Sequence, residues 1–319
     1  TDGSRWNRTA PTSSVFSLGT DGSVNANGET YVAYLFAHNN DDGGFGAAGD
    51  QDIIKCGSYT GNGSTTGVFQ DLGFEPQWII SKNSGLTEPW VMLDNKRGVG
   101  GAGSNDPRLV ANGNNAEAGG EIMQFNATGF TPLTADDKIN GNNYTYVYMA
   151  IRRGGMQTPT AASDVFAPVI QSGTATQTIT TGFTVDLAIF RSSRSSTNQI
   201  YVLDRLRGLN YLATEVNSAE NNGLSDYYNW DSNTGVPTVS GLSSDETIWW
   251  NWKRARGYFD VVAYTGNGSN RTITHNLAVA PEMMWVKKLS GSNNWKTFHA
   301  NLGGTKSMEL NTTVEAETN

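Results

Sequence analysis

Apolar residues along this chain fall in short runs bounded by Gly, Asn, Ser and Thr. Period-two alternation is clearest at Thr176-Gln177-Thr178-Ile179-Thr180-Thr181 and Arg271-Thr272-Ile273-Thr274-His275, and predicts half-buried strands there. The runs at 31–36, 146–151 and 248–252 are apolar without alternation, which predicts a central strand covered on both faces. Residues 209–222 admit a short helix. Their counterpart at 108–118 is broken by Asn112-Gly113, so a strand followed by a loop is expected in both places.

The runs recur in a fixed order, the mark of stacked units. Tyr59-Thr60-Gly61-Asn62-Gly63-Ser64 returns as Tyr264-Thr265-Gly266-Asn267-Gly268-Ser269. Residues 73–80 face 278–285 with Pro76 on Pro281, and a diverged copy begins at Gly182-Phe183-Thr184-Val185. A second marker at 90–98 is echoed at 200–208 and, more weakly, at 295–303. A third, at 145–153, closes the unit; it recurs at 247–254 and is already present at 30–38. This order divides the chain into the closing half of a repeat (1–40), a Gly/Asp-rich linker (41–51), a complete repeat (52–153), a linker (154–164), a complete diverged repeat (165–257) and the opening half of a repeat (258–319). The short junction Ala255-Arg256-Gly257-Tyr258 predicts close packing of its neighbours. A segment of a longer array is expected; the alternative is that head and tail complete one unit, within a chain or between neighbours.

Composition fits this pattern. With 37 glycines among 319 residues and 16% charged residues, the chain has a turn-rich all-β profile. About seven or eight strands per unit points to tandem β-sandwich or jelly-roll-like repeats of about 100 residues. A net charge of −8 without any basic run argues against nucleic acid as a partner. No apolar run has the length of a membrane span, so membrane insertion is not expected. The single cysteine, Cys56, excludes an internal disulfide and a Cys-based zinc site, and is expected as a buried thiol on a strand.

Candidate chemistry is sparse. The Thr-Gly-Asn-Gly segments read as tight hairpin turns rather than phosphate loops, because no Gly-Lys pair occurs. Gly98, Gly100 and Gly103 have dinucleotide spacing, but Ser104-Asn105-Asp106-Pro107 opens no helix behind them. Asp94, Asp204 and His299 hold one position in successive units, and the two acids are expected to accept turn N–H groups and to pair with Arg97 and Arg207. No Gly-x-Ser-x-Gly occurs, and His38, His275 and His299 share no spacing. Asp41, Asp42, Asp50 and Asp52 are candidate oxygen ligands for calcium, although they fit no defined calcium loop and a solvated linker is the expected reading. Trp249, Trp250 and Trp252 would stack sugars if exposed; their counterparts Val32, Ala33, Val147 and Tyr148 point instead to a core. No catalytic residue and no cofactor is expected.

The chain resembles a repeat-domain family of virion structural proteins from marine tailed bacteriophages. The resemblance is carried by residues 6–19, beginning Trp6-Asn7-Arg8-Thr9-Ala10-Pro11, by residues 28–36, and by the 57–64 turn with its following Phe-x-Pro strand. It covers the first and last units; the middle one, about 165–257, lacks the Thr-Gly-Asn-Gly turn and has Val185 in place of Pro76. The resemblance implies a non-enzymatic tail-fibre or surface-appendage protein on the extracellular face of a virion. Its implied partners are other virion proteins or copies of itself, and a host-surface glycan or protein. The alternatives are a bacterial surface adhesin or filament protein, a capsid-decorating protein and, less favoured, a glycan-degrading virion enzyme.

Overall fold

A computed structural model of the chain describes residues 3–37, 52–99, 106–173, 176–192, 199–224, 227–238 and 246–318. The chain forms two compact units, Thr1–Ala37 and His38–Asn319.

In the first unit two one-turn helices, α1 (Gly3–Trp6) and α2 (Gly22–Asn25), are joined by extended chain. Asp21 caps α2 by accepting from the Ser23 N–H at 2.8 Å. The Tyr31 hydroxyl donates to the Gly22 carbonyl at 2.6 Å and accepts from the Ala26 N–H at 2.9 Å. The strand expected at 31–36 is not formed: Val32, Tyr34 and Leu35 are exposed, and no strand occurs among the described residues of this unit. A central strand needs hydrogen-bonding neighbours on both edges, and this unit supplies neither.

The second unit is all-β. Its first part contains β1 (Ile54–Thr60), β2 (Gln70–Asp71), β3 (Pro76–Asn83), β4 (Val91–Asp94), β5 (Leu109–Val110), β6 (Met123–Asn126), β7 (Gly129–Pro132) and β8 (Thr145–Arg152). These sort into a five-stranded sheet, β1-β8-β3-β4-β5, facing a smaller one, β2-β7-β6. The next part contains β9 (Phe166–Gln171), β10 (Gln177–Thr180), β11 (Leu187–Ser192), β12 (Tyr201–Asp204), β13 (Tyr211–Ala213), β14 (Gly235–Thr238) and β15 (Thr247–Trp252). Here the five-stranded sheet runs β9-β15-β11-β12-β13 and faces the pair β10-β14. Both large sheets thus have one order: opening strand, closing strand, then three strands in chain order.

Each pair of facing sheets shares a core. In the first, Tyr59, Ile79, Leu93, Tyr146 and Tyr148 from the large sheet meet Met123, Phe125 and Phe130 from the small one. Phe130 stands edge-on to Tyr59 and Tyr148, with ring centroids 5.8 and 5.2 Å apart. In the second, Ala188, Phe190, Leu203 and Trp249 meet Ile179 and Val236. Trp249 is wholly buried, stacks on Phe190 at 4.3 Å and donates through its indole to Gln171 at 3.0 Å.

Register corrects the matching of the closing strands. Trp78 pairs with Ile151 and Leu187 pairs with Trp252, so Trp249 corresponds to Tyr148 rather than Val147. Tyr146, Tyr148 and Ala150 point inward, as do Thr247, Trp249 and Asn251. Matching Thr145 to Thr247 slips the strand by one residue, which exchanges its two faces. Double coverage holds for β15, whose other face packs Trp250 and Trp252 on a further apolar cluster. On β8, Thr145 and Val147 are exposed, so that strand is central but covered on one face only.

Two further expectations change. The turn after Tyr59 joins no hairpin, because β1 pairs with β8 while β2 pairs with β7. It carries the chain from one sheet to the other, tied down by Asn140, whose amide donates to Asn62 Oδ1 and the Ser64 carbonyl, both at 2.8 Å. Cys56 lies on β1 as expected but is exposed, because it shares the outward phase of Ser58 and Thr60 on an edge strand. The expected strand-then-loop readings hold at β5 and β13.

The last part contains β16 (Met283–Val286), β17 (Lys296–His299), β18 (Lys306–Glu309) and β19 (Glu317–Thr318), in that order across one sheet. The strand expected at 271–275 is not formed. Its counterpart before β2 leads into a pairing with β7, and the tail has no equivalent of β7 among the described residues.

Candidate functional site: the junctions between sheets

The candidate site begins with one repeated turn. After β4, Asp94 Oδ1 accepts from the N–H groups of Lys96 and Arg97, each at 3.1 Å, and Oδ2 accepts from Arg97 Nε at 2.8 Å. After β12, Asp204 accepts from the Arg207 N–H at 2.9 Å and pairs with the Arg207 guanidinium. After β17, His299 Nδ1 accepts from the Asn301 N–H at 3.2 Å. A short side-chain acceptor therefore closes each turn, and Gly98, Gly208 and Gly303 follow with positive φ of 100°, 68° and 70°.

Two of these turns meet. A Cβ built on Gly98 would lie 2.3 Å from the Gly208 Cα, so only glycine allows this approach. Arg205 reaches across the contact, donating to the carbonyls of Lys96 (2.6 Å), Val185 (2.9 Å) and Trp230 (2.8 Å), with its guanidinium over the Trp230 ring at 4.9 Å. Burial pulls the Arg205 pKa down to about 10.

Beside the turns lies a buried ionic cluster. Arg153 and Arg254 occupy one position, each following its closing strand, and both converge on Glu75. Arg254 holds Glu75 with two parallel hydrogen bonds of 2.8 Å, and Arg153 donates to it at 3.1 Å. Arg153 also donates to Asp186 Oδ1 at 2.9 Å, the Arg254 N–H donates to Asp186 Oδ2 at 2.7 Å, and Arg254 Nε pairs with Asp260. Arg153 and Arg254 thus pair directly with Glu75, Asp186 and Asp260, and Arg205 acts on Asp186 through its charge alone. Burial pushes the carboxyls of Glu75 and Asp186 up; Arg254 opposes this at Glu75 through its charge and at Asp186 through its N–H. Because each charge is satisfied by partners from different segments, the cluster specifies one arrangement of the two sandwiches.

The second junction is apolar. The outer face of the β9–β13 sheet presents Ile189, Val202, Leu212, Trp250 and Trp252 to Leu289, Trp295 and Leu310 of the last part. Trp295 is 5% exposed and donates to the Ala213 carbonyl at 2.9 Å, whereas its counterpart Trp90 is 39% exposed. Trp250 and Trp252 therefore form packing surface, not an open sugar platform. At the rim of this junction lies a polar cleft of about 300 Å³ lined by Asn210, Glu220, Asn221, Asn222 and Ser290. Glu220 turns a buried carboxylate toward Arg207, 3.6 Å away, and burial pushes its pKa up.

Of the calcium candidates, Asp41, Asp42 and Asp50 lie outside the described residues. Asp52 is buried, and its Oδ1 has no hydrogen-bond partner among the described residues. No cluster of three or more His, Cys, Asp or Glu is placed to hold a metal among the described residues. At Cys56, although the residue is exposed, partial desolvation by its neighbours on the strand raises the thiol pKa, away from a reactive thiolate. The ionic cluster was missed in the sequence. Its signal was present in the Arg152-Arg153 and Lys253-Arg254 pairs that end the closing markers.

A family model described as a domain of unknown function (DUF7483) matches residues 1–153 and 161–319, and the chain belongs to that family. No curated protein matches the chain, and no solved structure does.

Proposed function

We propose that this member of the DUF7483 family is a non-enzymatic structural protein of a virion surface, part of a tail fibre or appendage that attaches to the host. The observation that supports this reading is the junction at Gly98 and Gly208. There two sandwiches of one strand order are held by a buried ionic cluster rather than by a free linker. A protein that projects from a particle must keep its direction while presenting many loops, and such a junction serves that need. Loops at the sandwich ends would contact other virion proteins or a host glycan or protein, and repetition would multiply weak contacts.

Immunogold electron microscopy with antibodies raised against the chain tests the proposal. Label on tail fibres or appendages is the expected result. Label over the capsid would move the reading to decoration, and label on bacterial cells free of particles would replace it with a cellular adhesin. Release of products from host polysaccharide by the purified chain would overturn the non-enzymatic part.

A further inference from the structure

The polar cleft at the rim of the tryptophan junction is lined from two segments. Asn210 and residues 219–222 belong to the second sandwich, and Leu289 and Ser290 lie between β16 and β17. Main-chain hydrogen bonds fix both. Tyr211 and Asn221 exchange bonds of 2.8 and 3.0 Å, and the Glu220 N–H donates to the Leu289 carbonyl at 2.9 Å. A volume of about 300 Å³ is at the small end for ligand clefts, which suits a single ring rather than a long chain.

Two charged groups at this cleft are incompletely satisfied. The Glu220 side chain is 6% exposed, yet neither of its oxygens accepts a hydrogen bond among the described residues. Glu75, with the same exposure, accepts three. Arg207 donates through Nε to Asp204 and through Nη2 to the Val202 carbonyl, but its Nη1 has no acceptor among the described residues. Nη1 and Glu220 face each other at 3.6 Å, an ion pair too long for a hydrogen bond. The Arg207 charge and the nearby Asn210 amide act against the burial of Glu220 without reaching hydrogen-bond geometry. A buried carboxylate left bare costs stability, so the site is arranged around a group it does not itself supply. Glu220 lines the cleft, and rotation about its side-chain bonds carries the carboxylate to an entering ligand.

We propose that this cleft binds one sugar ring, with ring hydroxyls set between Glu220 and Arg207. A hydroxyl accepts from a guanidinium and donates to a carboxylate at once. An ammonium only donates, and a carboxylate or ionised phosphate only accepts, so neither satisfies both groups. Asn221 Oδ1 accepts from the Gly223 N–H at 2.7 Å, which leaves its NH2 group as a further donor. Asn222 and Ser290 add an exposed amide and an exposed hydroxyl, and Ala219 and Leu289 supply apolar surface for ring C–H groups. The inference goes beyond the appendage reading and does not rest on it, because the cleft belongs to the chain wherever the chain is displayed.

Amide chemical-shift titration of the full chain with D-glucose, D-galactose, D-mannose and N-acetyl-D-glucosamine tests it. At least one sugar should shift the Asn222 and Ser290 signals saturably, with a Kd of about 1 mM for so small a ligand. Glu220→Gln keeps the shape but removes the charged acceptor, and should weaken binding at least about tenfold while the signals of the first sandwich stay in place. Asn222→Ala, at the surface, should weaken binding without changing thermal stability. Putrescine and inorganic phosphate should not compete. Three results would overturn the proposal: no saturable shift with any of the four sugars, equal sugar binding by Glu220→Gln, or saturation by putrescine or phosphate instead. A failed titration would leave the immunogold result unchanged, and label away from appendages would leave the titration unchanged.

Discussion

The two junctions of the second unit join similar surfaces by opposite means. Between the first and second sandwiches the contact is mainly polar: Glu75, Asp186 and Asp260 meet Arg153 and Arg254, Arg205 donates to carbonyls across the contact, two glycine turns touch, and Leu206 adds one apolar side chain to the first core. Between the second sandwich and the last sheet it is apolar, built on Trp250, Trp252 and Trp295. An apolar contact stabilises in proportion to the area it covers but tolerates sliding. A buried ionic contact gains little net energy, yet loses much if any partner is displaced, so it fixes orientation. One junction sets geometry; the other attaches a sheet that is small on its own.

Substitutions separate these roles. The largest effect is expected for Glu75→Ala, which leaves the buried Arg254 without its two-pronged partner and should cost about 3–5 kcal/mol. Urea unfolding should then split into separate transitions for the two sandwiches. Trp295→Ala should cost about 3 kcal/mol, the lower end for a buried tryptophan because the sheet it anchors is small. Amide exchange should accelerate in β16–β18 while β3 and β11 keep their protection, where Glu75→Ala would perturb both sandwiches. Gly98→Ala should cost about 2 kcal/mol through the forbidden φ and the clash with Gly208, and should leave the tryptophan junction intact.

The smallest effect is a pH dependence within the last sheet. Lys296 and Glu309 pair across β17 and β18 at 2.6 Å, which lowers the Glu309 pKa and raises that of Lys296. The folded carboxyl binds its proton less readily than the unfolded one. Its contribution is therefore present above the ordinary carboxylate range and lost as pH falls through that range to the folded value. The lysine contribution is present below the ordinary lysine range and lost as pH rises through the raised value. Nuclear magnetic resonance titration of the Glu309 carboxyl should show the downward shift, and Lys296→Met should reduce it to the part held by the hydrogen bonds from Asn294 and Thr312.

Much of the fold was legible because strand chemistry is local. Gly and Asn punctuation, the β-branched and aromatic runs, and the Asp94 and Asp204 turns can all be read from neighbours in sequence. Strand pairing cannot. Asn-Gly at 62–63 signals a reversal but not which sheet receives the chain, and the pairing of β1 with β8 spans the whole sandwich. The register of β15 was misread by one residue because Thr145 and Thr247 are identical anchors on opposite faces. Segments 31–36 and 271–275 have strand composition, yet composition cannot supply a missing neighbour. The ionic cluster draws on residues from 75 to 260, so no window contains it.

The most direct test of the rigid junction is a distance measurement by double electron–electron resonance. One spin label goes on the exposed Cys56 of β1 and the other on Ile170→Cys of β9, also exposed. A single narrow distance distribution, broadened by Glu75→Ala, is the predicted result. A broad distribution in the otherwise unchanged chain, or one indifferent to Glu75→Ala, would contradict the account.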